Sequence, residues 1–332
     1  MDAYQKTDRI EPPIDSPAVR EFDNPKSVSV TLLGGGVDMV AAPGTTTARL
    51  EVRELTGPPL TMTWSDRALK IEQMRDSEGQ VWGLLKSFLG GGVGERPRAR
   101  LTLTLPDDTA VSVKTASADV LSGGSHGNVS VYTVSGGVTL DRPTGAVDVA
   151  TVSGDVECAS PSGELKVKTV SGGVTVQDAV LRTTRLNSVS GRMILDLRHG
   201  PTLVTANTVS GELSIRLPAG SGFDATVGSA SGHVVVDGEP LIEDGKRGGH
   251  RYTGDRSVAI KARTVSGDLV VLRRDAGTTG ARWTPETGPV IGDPGRSDIQ
   301  DDLRRDPRSS DVQSDLPNDD ENGRPGPGTA WR

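Results

Sequence analysis

One cysteine, Cys158, stands in a chain of 332 residues. That excludes an intramolecular disulfide and any metal cluster built on several thiolates. Aromatic residues make up only 3% of the chain, which leaves little to line a large aromatic pocket. Nowhere do about 18 apolar residues run together, so no membrane-spanning helix is expected. Residues 1–26 carry prolines at 12, 13, 17 and 25 and no apolar core of a signal peptide. The location expected from that is the cytoplasm. Basic residues are not in excess: 37 Lys and Arg stand against 44 Asp and Glu, a formal net charge of −7. Such a balance gives no overall electrostatic footprint for nucleic acid.

What is present is repetition. Val-Ser-Gly recurs at Val134-Ser135-Gly136, Val152-Ser153-Gly154 and Val170-Ser171-Gly172. Further copies follow at Val189-Ser190-Gly191, Val209-Ser210-Gly211, Ala230-Ser231-Gly232 and Val265-Ser266-Gly267, and a worn first copy is Ala116-Ser117-Ala118. From Ser117 to Ser171 the step is 18 residues; it then lengthens to 19, 20 and 21, with a long gap before Ser266. A fixed period of this size marks stacked units.

Aligned at that offset, one column reads Val138, Val156, Val174 and the next Leu140, Cys158, Val176. A second strand supplies Val129, Val147, Leu165 and Val131, Val149, Val167, with polar rows between them. These rows are Ser130, Asp148, Lys166 and Thr139, Glu157, Thr175. Alternation with period two is the mark of a half-buried strand. Pro143-Thr144-Gly145 and Pro161-Ser162-Gly163 supply a second corner. Glycine is expected at the corners for its freedom to take positive φ. The fold expected is all-β: a β-solenoid-like stack of about 18-residue two-strand coils, preceded by a strand-rich capping region. The alternative is an antiparallel β-sandwich, which two-residue Ser-Gly turns would also serve.

The chain then divides into four parts. Residues 1–26 read as a disordered leader, 27–114 as a strand-rich N-terminal part and cap, and 115–272 as the repeat region. Residues 273–332 read as a disordered acidic tail rich in Pro and Asp. Residues 275–332 alone hold 12 acidic and 7 basic residues. Gly238–Arg256 reads as a long loop between the last coils.

The Val-Ser-Gly-Asp/Glu repeats, with Gly57-Pro58-Pro59-Leu60 and Leu103-Thr104-Leu105-Pro106 ahead of them, resemble a bacterial family. It is the "putative adhesin" family with β-strand repeats, a domain of unknown function. The resemblance covers about residues 27–272. It implies a β-solenoid-like fold, no established catalytic residues and, from the adhesin label, surface display, which an absent export signal does not match.

Chemistry-bearing residues are scattered. His126, His199, His233 and His250 lie in turns or beside corners, with no second metal ligand at a suitable spacing. Cys158 falls in a core column and reads as a small hydrophobe. Asp119, Asp155, Glu212 and Asp268 follow the corners and read as a solvated edge, because Gly137, Gly173 and Arg192 interrupt their column. The corner serines are many and equivalent, whereas a nucleophile is singular and needs an oriented base. Trp82, Leu85, Phe88 and Leu89 cluster between polar strands and read as a cap over an open end or a docking site for a partner or membrane.

A non-enzymatic scaffold or binding protein is therefore expected. Its partner would be an unknown protein or a second copy, with no cofactor, no metal and no nucleic acid. The alternatives are a self-assembling cytoskeletal-type β-helix polymer and, behind it, a polysaccharide-active enzyme.

Overall fold

The computed structural model describes residues 9–73, 97–124, 127–241 and 248–274. All of these lie in the compact unit Met1–Thr279. The expected docking residues Trp82, Leu85, Phe88 and Leu89, together with His126 and residues 275–332 of the expected tail 273–332, fall outside the described residues, while the first residue of that tail, Arg273, ends the strand Leu269–Arg273.

The N-terminal strands are β1 (Arg9–Ile14), β2 (Ala18–Asp23), β3 (Ser27–Ala41), β4 (Thr47–Thr56), β5 (Leu60–Ser65), β6 (Ala68–Glu72) and β7 (Arg98–Leu105). Next come β8 (Ala110–Gly123), β9 (Val129–Thr133), β10 (Val138–Asp141), β11 (Ala146–Thr151), β12 (Val156–Ala159), β13 (Ser162–Thr169) and β14 (Val174–Ser188). They are followed by β15 (Met193–Leu197), β16 (Thr202–Asn207), β17 (Leu213–Leu217), β18 (Phe223–Ser229) and β19 (Val234–Val236). The last four are β20 (Glu239–Pro240), β21 (Gly248–Thr253), β22 (Val258–Thr264) and β23 (Leu269–Arg273).

The repeat region is a solenoid. Its strands form two parallel ladders, one on each side of an apolar interior. In the first, Val138 lies opposite Val156 and Val156 opposite Val174. In the second, Val147 lies between Val129 and Leu165. The offset that aligns the sequence is thus the physical register of the ladder. The long strand β8 serves both ladders, pairing β9 near its start and β10 near its end, and β14 also serves both, pairing β15 near its start and β16 near its end. Valine and leucine columns from both ladders fill the interior, each with at most a few per cent exposed. The antiparallel sandwich does not form here, because stacking identical residues in register requires parallel pairing.

Chain order and spatial order part company at both ends. At the N-terminal end, β3 lies between β8 on one side and β6 and β7 on the other. At the C-terminal end, β22 lies between β16 and β18, and β23 lies between β17 and β19. The last coil in sequence is therefore the penultimate coil in space. Antiparallel strands finish both ends: β1 on β5, β2 on β4, β20 on β19 and β21 on β18.

Three expectations need correction. Residues 9–14 and 18–23 are strands and not a disordered leader, because β5 and β4 hold them through long-range pairing that local composition does not reveal. The expected boundary near residue 114 falls inside β8, whose two halves belong to one continuous core. The expected loop Gly238–Arg256 contains β20 and β21, and β21 pairs with β18 along its whole length, from Phe223 opposite Thr253 to Gly228 opposite Gly248.

Candidate functional site

The corners account for most of the repeated polar residues. Each corner serine donates its hydroxyl to a backbone carbonyl of the adjacent coil: Ser135 to Ala116, Ser153 to Val134, Ser171 to Val152 and Ser190 to Val170, at 3.2–3.3 Å. The series continues in space through Ser210 to Val189, Ser266 to Val209 and Ser231 to Val265. Ser266 thus stands between Ser210 and Ser231, and the long gap in the sequence is no gap in the stack.

The motif is one residue longer than Val-Ser-Gly. Buried Thr133, Thr151, Thr169, Thr208 and Thr264 each accept the N–H of the glycine three residues on, at 2.9–3.0 Å. Ser229 does the same for Gly232. These acceptors satisfy an N–H that the tight corner would otherwise bury without a partner. The signal was present in the sequence as Thr-Val-Ser-Gly.

Glycine is required at these corners for close approach, not for positive φ. None of the glycines in the Val-Ser-Gly series has a left-handed φ. A Cβ on Gly154 would lie 2.0 Å from the Gly136 carbonyl oxygen, and one on Gly211 would lie 2.0 Å from that of Gly191. The left-handed residues belong to the opposite corner, at Arg142, Ser160 and Asp178, with φ of 49°, 48° and 54°.

The acids after the corners also have a structural task. Asp119 accepts the Gly137 N–H at 2.9 Å, Asp155 that of Gly173 at 2.8 Å, and Asp268 that of His233 at 2.9 Å. Glu212 pairs with Arg192 at 2.8 Å. An acid in one coil thus caps a backbone N–H of the next. No group of three or more His, Cys, Asp or Glu gathers at metal-binding distance among the described residues.

Cys158 is buried between Leu140 and Val176, and burial, helped by the Asp141 charge, pushes its thiol up to about 12. That thiol is unreactive at neutral pH. His233 is exposed and stands 3.3 Å from Asp268, whereas His250 lies in β21 and not in a turn, with Nε2 at 2.8 Å from Asp224.

Three features were not read from the sequence. First, Asp196 is buried on the outer side of the first ladder, where both Arg216 and Arg274 grip its carboxylate. Burial raises its pKa, but the hydrogen bonds and charges of the two guanidinium groups outweigh it and hold the carboxyl below its ordinary value. Second, a cleft of about 310 Å³ opens between β1, β2 and β5, lined by Arg9, Arg20, Glu21, Asp23 and the Phe22–Trp64 stack. Third, the valines of the motif point outward: Val152, Val170, Val189, Val209 and Val265 are each about half exposed and form an apolar line along one edge.

The profile of one protein family, described as Toastrack DUF4097, matches residues 28–272. No curated protein matches the chain. Among solved structures, the chain is similar to a "putative cell adhesion protein" from Clostridium sporogenes ATCC 15579, with 12% identity over 78% of this chain and 100% of that one, at a TM-score of 0.22. At that score the similarity carries no argument about fold or function. Among the described residues, no helix is long and apolar enough to cross a membrane.

Proposed function

The chain belongs to the Toastrack DUF4097 family, a domain of unknown function, and on that premise we propose that it is a non-enzymatic β-repeat scaffold whose flat outer faces bind a partner. The supporting observation is where the repeated polar groups are spent. The corner serines, threonines and aspartates all bond to backbone of their own or the adjacent coil. Groups so engaged hold the stack together and have no free geometry for attack on a substrate. What remains available is the outward rows of the two ladders, rigid and regularly spaced. A cytoplasmic location and a protein partner or second copy belong to this proposal.

The polymer reading is less well supported. A solenoid grows end to end by pairing parallel edges, yet here both ends finish in antiparallel strands. Pro12 and Pro13 blunt β1 further.

Photo-crosslinking residues placed at Thr139 and Glu157 on one face, and at Ser130 and Thr205 on the other, test the proposal in the native cell. Capture of the same partner from several positions on one face is expected. Capture from neither face, or a glycan-cleaving activity that Asp155→Asn abolishes without unfolding the protein, would overturn it.

A further inference from the structure

The overall charge of the chain is negative, but the outer face of the second ladder contains a stretch with no carboxylate. Register places Lys166 opposite Arg185, Arg185 opposite Thr205 and Thr205 opposite Lys261. Two residues along, the next outward row runs Lys168, Asn187, Asn207, Arg263 across the same four strands, β13, β14, β16 and β22. The two rows hold five cations and no acid. Lys166 pairs with Asp148 on β11. Lys168, Arg185, Lys261 and Arg263 are exposed, and none has an ion pair among the described residues. Asn207 donates to Asn187 at 3.0 Å, which fixes the floor between the cationic ends.

Neighbouring strands are about 4.8 Å apart, so the track runs about 14 Å along the solenoid axis. Its two rows are about 7 Å apart. A uniform cationic strip costs free energy through self-repulsion, so an anion laid along it relieves a cost already present. Guanidinium groups at Arg185 and Arg263 suit the paired oxygens of an oxyanion.

We propose that this track binds a linear polyanion with closely spaced oxyanion groups, lying along the solenoid axis across β13, β14, β16 and β22. This deepens the scaffold reading and rests on it. The shape of the charge selects a narrow chain over a membrane. A bilayer would meet the whole face, including Glu164 and Asp224 in the flanking row, which face Arg182 at 3.7 Å and the His250 ring at 2.8 Å. A chain two rows wide avoids both. None of the eight track residues is aromatic, so the track itself offers nucleic-acid bases nothing to stack on.

The test uses the full chain and labelled inorganic polyphosphate, with binding measured between about 50 and 200 mM salt. Binding that weakens steeply with salt is expected. The quadruple variant K168Q/R185Q/K261Q/R263Q is expected to lose about a hundredfold or more in affinity. Each single substitution is expected to lose about fivefold, which carries the test if the quadruple variant melts early. E157Q, on the other ladder, is expected to bind as the original chain does. Polyphosphate bound equally well by the quadruple and single variants, polyphosphate ignored at low salt, or binding to phosphatidylserine vesicles alone would overturn the proposal. Crosslinks from either face that persist while polyphosphate is ignored would overturn the polyanion and leave the scaffold standing.

Discussion

The middle coils and the last coil are built alike but threaded differently. From β9 to β17 each coil stacks on the one made just before it. The coil β22–β23 slots instead between β16–β17 and the earlier-made β18–β19. The corner chemistry does not register the change. Ser266 bonds to Val209 as Ser153 bonds to Val134, and Thr264 caps Gly267 as Thr151 caps Gly154. A coil is therefore selected by the edge it meets and not by its turn in the chain. In a solenoid, stability is a sum of nearest-neighbour contacts in space, so connectivity is free to vary where a loop can reach.

The largest test of that equivalence is to remove the inserted coil. Among the described strands, β18 and β19 reach the stack only through β22 and β23, and their other partners, β20 and β21, lie on the outer side and pair with nothing else. A chain ending at Asp255 should therefore lose hydrogen-exchange protection throughout β18 and β19, while β9–β13 stay protected; a chain ending at Arg274 serves as the control. If β18 and β19 remain protected, they have docked directly on β16 and β17, and the coils are interchangeable as well as alike.

Next come the corner glycines. Gly211→Ala in a sequential coil and Gly267→Ala in the inserted one each put a Cβ about as close to a backbone carbonyl oxygen as the other, at 2.0 and 1.9 Å. Each should cost about 4 kcal/mol in denaturant unfolding, since backbone on both sides has to move. Gly123→Ala, where a Cβ meets nothing within 4 Å, should stay within about 0.5 kcal/mol of the original. Unequal costs for Gly211 and Gly267 would show that the inserted coil is held differently.

Asp196→Ala leaves Arg216 and Arg274 facing each other in a site of little exposure, and should cost about 3 kcal/mol. Because the folded-state pKa of Asp196 is depressed, its contribution is present above the unfolded pKa of about 3.9 and is lost as pH falls through the lower folded value. Acid titration of stability should thus be shallower for Asp196→Asn than for the original chain. An unchanged acid limb would mean that the two arginines do not lean on the carboxylate.

The smallest effect is expected at the buried caps. Thr151→Val and Thr264→Val each strand one corner N–H and should cost about 1–2 kcal/mol apiece, to equal extents.

The solenoid was legible because its period is physical: residues 18 apart in the sequence face each other across the ladder, as Val138 and Val156 do. The reason for glycine was not legible. It depends on a carbonyl in another coil, whereas positive φ is a local property and was the natural guess. Strands β1 and β2 were missed for a related reason. The prolines of β1 and the charges of both are what an edge strand carries to stay unpaired on its outer side, and they imitate disorder. The cationic track was hidden from net charge altogether. Lys166, Arg185 and Lys261 are far apart in sequence and become neighbours only through β14, β16 and the displaced β22. The threonine caps, in contrast, stood in plain view before every Val-Ser-Gly they serve and needed only the question of where the corner N–H goes.

The displaced last coil also sets a schedule for synthesis. The chain leaves the ribosome N-terminus first, so the coils up to β17 can close while the remainder is still being made. Residues 223–236 then emerge before the coil on which they finally rest. Until residue 273 is out, β16 and β17 present a bare parallel edge open to any strand that fits. A ribosome that stalls between residues 237 and 273 leaves that edge exposed, and a complete chain covers it. Finishing the fold is thereby tied to finishing the translation of this region, and an unfinished molecule is marked by its own unpaired backbone.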